Sequence, residues 1–247
     1  MSVVYWCAPT GSRIQAWVAD RCLIDTREAV LLRGSASDLV YGVSPELLAA
    51  TVEPIPDPGG VTAQERLDLV VDGERLPNSA FRFTERPAGM AAAYDDYVFV
   101  DFGAMDTWYE EDERLIGHPR DPFTRIDVRR SSRRITVGAG GETIADTVRP
   151  LLLFETGLPV RYYIPWADVR TAVLRPSDTT SVCCYKGRAR YWHIETTAGR
   201  WPDAVWAYTD PLDDGERIRD AACFYQTALD LYLDGEHEQR APRYFTR

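Results

Sequence analysis

Histidine is scarce in this sequence, cysteine is scattered, basic residues are outnumbered, and no long apolar run occurs. Each shortage removes a class of function. The three histidines, His118, His193 and His237, do not fall at zinc-ligand spacing, and none of the five cysteines forms a Cys-x-x-Cys pair, so no metal site is expected. The cysteines, Cys7, Cys22, Cys183, Cys184 and Cys223, are odd in number and widely spaced, which argues against a disulfide framework. Acidic residues number 38 against 28 basic ones, for a net charge of -10. That is the wrong sign for binding duplex nucleic acid, which takes clustered Lys and Arg to displace counterions from phosphates. Free nucleotides stay open as ligands. The longest apolar runs, such as Leu151-Leu152-Leu153-Phe154, fall far short of the roughly 20 residues that span a bilayer. The first residues lack a basic segment leading into an apolar one. The expectation is a cytoplasmic protein with no membrane partner.

What is present reads as strands. Ile126 and Val128 alternate with polar neighbours, as do Leu229, Leu231 and Leu233 before the turn signal Asp234-Gly235. The runs 97–102 and 191–194 are aromatic and β-branched, as strands prefer. Sixteen prolines and 17 glycines break the chain at short intervals, and only 45–50 and 167–173 read as short helical turns. Segment 22–32 resembles 143–153, with Thr26 matching Thr147 at an offset of 121, and Tyr41 meets Tyr162 at the same offset. Asp106-Thr107-Trp108-Tyr109 echoes Ala204 to Tyr208 at a smaller offset. Duplication explains these matches, so the expected fold is mainly β: two tandem, related, small β-rich domains with few short helices. The first spans 1–122 and the second 123–236, joined near 119–132, with a frayed tail at 237–247. Segment 52–62, rich in Pro and Gly, reads as an exposed loop of the first repeat.

The second half carries an ordered series of motifs: Glu155-Thr156-Gly157-Leu158-Pro159, Tyr162-Tyr163-Ile164-Pro165, Asp168-Val169-Arg170, then Ser181-Val182-Cys183-Cys184-Tyr185-Lys186-Gly187 running to Trp192. Asp203 to Trp206, Ala222 to Tyr225 and Asp234-Gly235 follow. This series resembles the family called domain of unknown function 427, also labelled nucleotidyltransferase-like. The resemblance covers about Phe123 to Glu236, and Trp108 to Glu113 with His118 to Pro122 resemble its long, two-copy members. It implies a compact, β-rich, tent-like fold. Where the family has Thr and Pro around the cysteine, this chain has Ser181 and Cys184. The hydroxyl is kept, and the extended restraint that Pro would place on Cys183 is lost.

Several groups could carry chemistry. In Cys183-Cys184-Tyr185-Lys186-Gly187 a thiol, a phenol and an ammonium stand together, with Lys186 as anion anchor or proton shuttle, Tyr185 beside it and Cys183 as nucleophile. The bland reading is that Lys186 snorkels, Tyr185 packs and Cys183 is inert. In His118-Pro119-Arg120-Asp121-Pro122, His118 offers an acid or base, and Arg120 and Asp121 offer polar contacts for a ligand or fix the join between repeats. Trp192 and Arg190 follow the Lys186 motif and are expected to line a pocket. The run Glu110-Glu111-Asp112-Glu113 is a solvated face more often than a cation site. No cofactor is specified. Small-molecule binding or catalysis in the second repeat leads, with an anionic ligand favoured by Lys186. A protein-interaction scaffold and nucleotidyl transfer are the alternatives, and whether the protein is an enzyme stays open.

Overall fold

A computed structural model describes residues 5–34, 39–56 and 63–238. The chain divides into two compact units, Met1–Asp121 and Pro122–Arg247. In the first unit the strands are β1 Trp6–Pro9, β2 Ile14–Val18, β3 Arg21–Thr26, β4 Val30–Arg33, β5 Leu39–Val43 and β6 Thr51–Pro54. They continue as β7 Gln64–Val71, β8 Glu74–Phe83, β9 Val98–Val100, β10 Thr107–Glu110 and β11 Glu113–Arg114. The second unit has β12 Ile126–Arg130, β13 Ile135–Ala139, β14 Glu142–Thr147, β15 Leu151–Glu155, β16 Arg161–Pro165 and β17 Leu174–Cys183. After these come β18 Gly187–Thr196, β19 Gly199–Pro211, β20 Ala221–Phe224, β21 Asp230–Leu233 and β22 Glu236–His237. The only helices among the described residues are short 3-10 segments.

Each unit packs a seven-stranded antiparallel sheet on a four-stranded one. The large sheets run β1-β4-β5-β9-β8-β7-β6 and β12-β15-β16-β20-β19-β18-β17, and the small ones β11-β10-β2-β3 and β22-β21-β13-β14, so the strand order is the same in both units. The offset of 121 holds through the pairing of β1 to β5 with β12 to β16. Ile14 faces Thr26 as Ile135 faces Thr147, and the isolated bridges Ile24–Leu48 and Ala145–Val169 match. A bulge recurs as well. The left-handed Asn78 and Asp203 donate their N–H to Asp68 Oδ1 at 2.7 Å and to His193 Nδ1 at 2.9 Å. Asn and Asp tolerate that backbone better than most residues.

The two sheet types differ in what covers them, and the sequence periods follow. One core of the first unit joins Ile14 and Ala16 of β2 and Trp108 of β10 to Leu31, Tyr41, Val43, Leu67 and Val100 of the large sheet. The indole N–H of Trp108, inside it, is satisfied by Phe102 O at 2.8 Å. A second cluster, Val30, Leu32, Phe81, Phe83 and Phe99, lies on the other face of the same large sheet. The second unit repeats this, with Ile135, Val137, Ile164, Ile194 and Val205 between the sheets and Leu153, Tyr163, Trp206, Tyr208 and Cys223 on the opposite face. Strands buried on both faces show unbroken apolar runs, as in Val98-Phe99-Val100 and Ala221-Ala222-Cys223-Phe224. Strands of the small sheets alternate, as in β21, where only Leu231 and Leu233 are buried.

The structure revises several details of the sequence reading. Asp106 to Tyr109 and Ala204 to Tyr208 are not counterparts: β10 belongs to a small sheet and β19 to a large one, where its equivalent is β8. The equivalent of the Cys183–Gly187 turn is the connection between β6 and β7, of which residues 57–62 lie outside the described residues. Val52 to Pro54, read as loop, is strand β6. The segment read as the join contains β12, because Ile126 and Val128 alternate against β15. Of the segment read as a tail, His237 ends β22, and residues 239–247 lie outside the described residues. Among the described residues no helix is long and apolar enough to cross a membrane.

One acidic group fastens the second unit's small sheet to its neighbouring turn. Asp168 accepts two bonds from Arg149, at 2.9 and 2.8 Å, and one from Thr147 Oγ1 at 2.7 Å. The Arg149 guanidinium and the Thr147 hydroxyl hold its carboxyl down at about 2, against an ordinary 3.8. A depressed folded value contributes stability above the unfolded one, and that contribution is lost as pH falls through the folded value. Asp168→Asn therefore lowers stability near neutral pH and flattens the acid limb between about pH 4 and pH 2, read by urea denaturation at a series of pH values.

Candidate functional site

The outer face of the second unit's large sheet combines burial with polar chemistry. Side chains one residue apart point to opposite faces, so Leu153 and Glu155 of β15, Arg161 and Tyr163 of β16, and Trp206 and Tyr208 of β19 share this face. Ala189 and Tyr191 of β18 join them, as do Cys223 of β20 and Tyr225 just after it. The register brings them together, since Leu153 pairs with Arg161, Tyr163 with Cys223, Cys223 with Trp206, and Trp206 with Tyr191.

At one end Lys186 Nζ lies 2.5 Å from Glu155 Oε2, and their side chains are only 7% and 11% exposed. The turn holding Lys186 is fixed by its backbone. Gly187 has φ +99°, and a Cβ there would stand 3.2 Å from both Asp210 O and Leu212 N, while Lys186 O accepts from Leu212 N at 3.2 Å. Only glycine fits that left-handed position without strain. A buried ammonium needs a partner, and Glu155 supplies it.

Further along the same face lies a second constellation. The Arg161 guanidinium stacks over the Trp206 ring at 5.4 Å and donates from Nη1 to Gln226 Oε1 at 2.9 Å. No carboxylate pairs with Arg161 among the described residues, and Gln226 Nε2 is buried with no hydrogen-bond partner there. Tyr225 packs on Trp206 at 4.6 Å and bonds to Tyr191, whose hydroxyl is 2.8 Å from Ser181 Oγ. Burial, and then the bond to Tyr191, raises the Tyr225 phenol above its ordinary value. Burial raises Tyr163 and Tyr208 as well and pushes the Cys223 thiol up to about 12. These phenols and the thiol keep their protons at neutral pH. The face is therefore rich in donors and holds a cation that no carboxylate among the described residues pairs with.

The residues singled out from the sequence divide between places. Lys186 and Cys183 sit at the edge of this face, with Cys183 half-buried and opposite Gly187 in the ladder, and Tyr185 is buried in the turn between them. Trp192 does not join them. It packs in the core between the sheets against Trp166 at 5.2 Å, because a residue one step from Tyr191 points the other way. Arg190 is likewise turned away from Ala189 and Tyr191 and is exposed. His118, Arg120 and Asp121 belong to the first unit, where Asp121 is buried and pairs with Arg33 at 2.9 Å, and His118 Nδ1 is 2.7 Å from Pro119 O. In the acidic run, Glu110 accepts from Ser12 at 2.5 Å and Glu111 from the Arg13 amide at 2.9 Å. Glu155, Arg161, Tyr191, Tyr225 and Gln226 were not singled out for chemistry. Arg161 had a signal: it is the lone charge beginning an apolar strand, at the phase of Tyr163.

The equivalent face of the first unit is mostly apolar, with the ion pair of Arg66 and Asp101 standing where the second unit has Tyr191 and Tyr225. By strand register Gly34, Val40 and Gly42 stand where the second unit has Glu155, Arg161 and Tyr163, and Phe99, Phe81 and Phe83 stand for Cys223, Trp206 and Tyr208. A Cβ on Gly42 would come within 2.5 Å of the Phe99 ring, so phenylalanine fills the space that Tyr163 takes in the second unit.

Residues 127–235 match the model of a family described as a domain of unknown function, DUF427. No curated protein matches the chain.

Removing one member of a buried ion pair strands the other charge, whereas replacing both with apolar groups does not. Lys186→Met and Glu155→Leu should each cost about 3–5 kcal/mol, and the double variant should recover most of that loss, measured by chemical denaturation.

Proposed function

Taking the second unit as a DUF427 domain, we propose that it binds a small anionic molecule on the outer face of its large sheet, with Arg161 as the anchor. The single observation that carries this reading is the half-buried Arg161 guanidinium, which lacks a carboxylate partner among the described residues, beside the unpartnered buried amide of Gln226. A guanidinium presents a planar fork matched to carboxylate or phosphate oxygens, and stacking on Trp206 holds it in place. Gln226 Nε2 and the protonated Tyr225 hydroxyl supply neutral donors to the same ligand. The ion pair of Lys186 with Glu155 anchors the edge of the site and leaves Lys186 a supporting part instead of the anchor.

The first unit supports this assignment by contrast, since Val40 and Phe81 stand where Arg161 and Trp206 do, and its one cation on that face, Arg66, is paired with Asp101. Common strand order and an offset of 121 shared by the first five strands of each unit also favour descent of both units from one duplicated ancestor, after which the face kept more polar groups in one unit and more aromatic rings in the other. The protein is proposed to be cytoplasmic. A protein-partner role has less support, because the exposed large apolar side chains among the described residues, Phe123, Val148, Leu158, Val182 and Tyr232, are single residues of separate elements. Nucleotidyl transfer rests on the family's label alone.

The test is a thermal-shift screen of the full chain against phosphate, citrate, nucleotides and phosphorylated sugars. A ligand at 100 times its dissociation constant stabilises by about 2.7 kcal/mol. That shift should vanish in Arg161→Gln and persist in Arg200→Gln, whose side chain is exposed and lies beside Glu195. Anion stabilisation retained by Arg161→Gln overturns the reading.

A further inference from the structure

The first unit carries a second concavity, on the outer face of its small sheet and independent of the Arg161 site. Antiparallel pairing sets Trp17 opposite Thr107 and Gln15 opposite Tyr109, all four half-buried. Their neighbours Ala16 and Trp108 point into the core, so these side chains point away from it. A bulge between Ala16 and Trp17 breaks the ladder with β3 at the indole. Two turns form the rim. The β2–β3 turn is held by Ala19, whose φ is +50° and whose N–H donates to Asp106 Oδ2 at 2.7 Å, and it presents Asp20. The β10–β11 turn passes through Glu111, φ +52°, and presents Asp112. Together they line an open cleft of about 570 Å³.

The lining combines an indole, a phenol, two carboxylates, a carboxamide and a hydroxyl, and it includes no Lys or Arg. Three cations lie nearby: Arg13 pairs with Asp25 at 2.6 Å and also feels Asp112, Arg21 pairs with Asp72, and the exposed Arg114 stands opposite Tyr109 in the β10–β11 ladder without lining the cleft. No ion pair takes up Asp20 or Asp112 among the described residues. The second unit does not build this site. Gly138 and Tyr232 stand for Trp17 and Tyr109 in the register, and Gly141 and Gly235 stand for Asp20 and Asp112. An indole and two carboxylates are thus features of one unit only.

We propose that this cleft binds a small organic cation with apolar substituents, an alkylated or quaternary ammonium. Aromatic faces attract such cations through the ring quadrupole, and the attraction survives in water best where the cation is weakly hydrated. The two rim carboxylates add charge of the right sign and repel anions. A hard divalent ion asks for more oxygen ligands, and no group of three or more candidate metal ligands exists among the described residues.

The probe is choline chloride, titrated into the full chain against sodium chloride at equal ionic strength and against glucose, followed by tryptophan fluorescence and calorimetry. The expected result is saturable binding of choline alone. It should be weakened at least about tenfold by Trp17→Ala, retained in part by Trp17→Phe, and made less sensitive to salt by the pair Asp20→Asn and Asp112→Asn. Should Trp17→Ala fail to fold, Tyr109→Leu serves for the same comparison. A response to choline no greater than to sodium chloride, binding of glucose in its place, or choline binding undiminished by Trp17→Ala and Tyr109→Leu would each overturn the assignment.

Discussion

Burial of each seven-stranded sheet on both faces is the constraint from which the rest follows. One face packs on the small sheet, and the other must be covered or filled by its own side chains. The first unit fills it mainly with rings, over which Arg66 lies paired with Asp101: Phe81 stacks on Phe99 at 5.4 Å, and Phe83 meets both edge-on. The second unit places polar groups in the same layer, and each of them then needs a partner, because an unpaired polar group away from water is costly. Lys186 has Glu155, Tyr191 has Ser181 and Tyr225, and Tyr163 has Trp206. Arg161 and Gln226 have each other and still leave donors over. That residue of unmet hydrogen bonding, in a layer otherwise satisfied, is what points to a ligand.

The buried ion pair and the unpaired guanidinium thus do different jobs. Lys186 with Glu155 is a closed unit: both charges are used, and the backbone around Gly187 is too tight to let the lysine leave cheaply. Arg161 is an open unit, stacked for position with its remaining N–H groups in reserve. Loss of function in a Lys186 variant would be hard to separate from loss of fold, whereas Arg161 can be changed with less damage to the packing. Chemistry-bearing residues in the sequence are therefore poor guides until their partners are known.

Much of the fold was legible in the residues. The alternation at Leu229, Leu231 and Leu233 marks a sheet with one open face, and the offset linking Thr26 to Thr147 and Tyr41 to Tyr162 holds in the strand pairing. The match of Trp108 to Trp206 misled because aromatic pairs recur in strands of either sheet, and only the ladder distinguishes β10 from β19. For the site, the Lys186 motif was visible as a cluster in sequence. Glu155, 31 residues before Lys186, was not, because the pairing depends on how β15 and the β17–β18 turn meet in space. Trp192, expected to line a pocket beside the Lys186 motif, packs between the sheets for a simpler reason: next to Tyr191 in the chain, it is on the other side of the sheet.

The most direct test of the central claim is a crystal structure of the full chain grown with selenate, with anomalous diffraction used to locate the anion. The account predicts a selenium peak within hydrogen-bond reach of Arg161 and Gln226 Nε2, with Lys186 still paired to Glu155. A map in which Arg161 and Gln226 are satisfied by groups of the protein itself, with no anion between them, would contradict it.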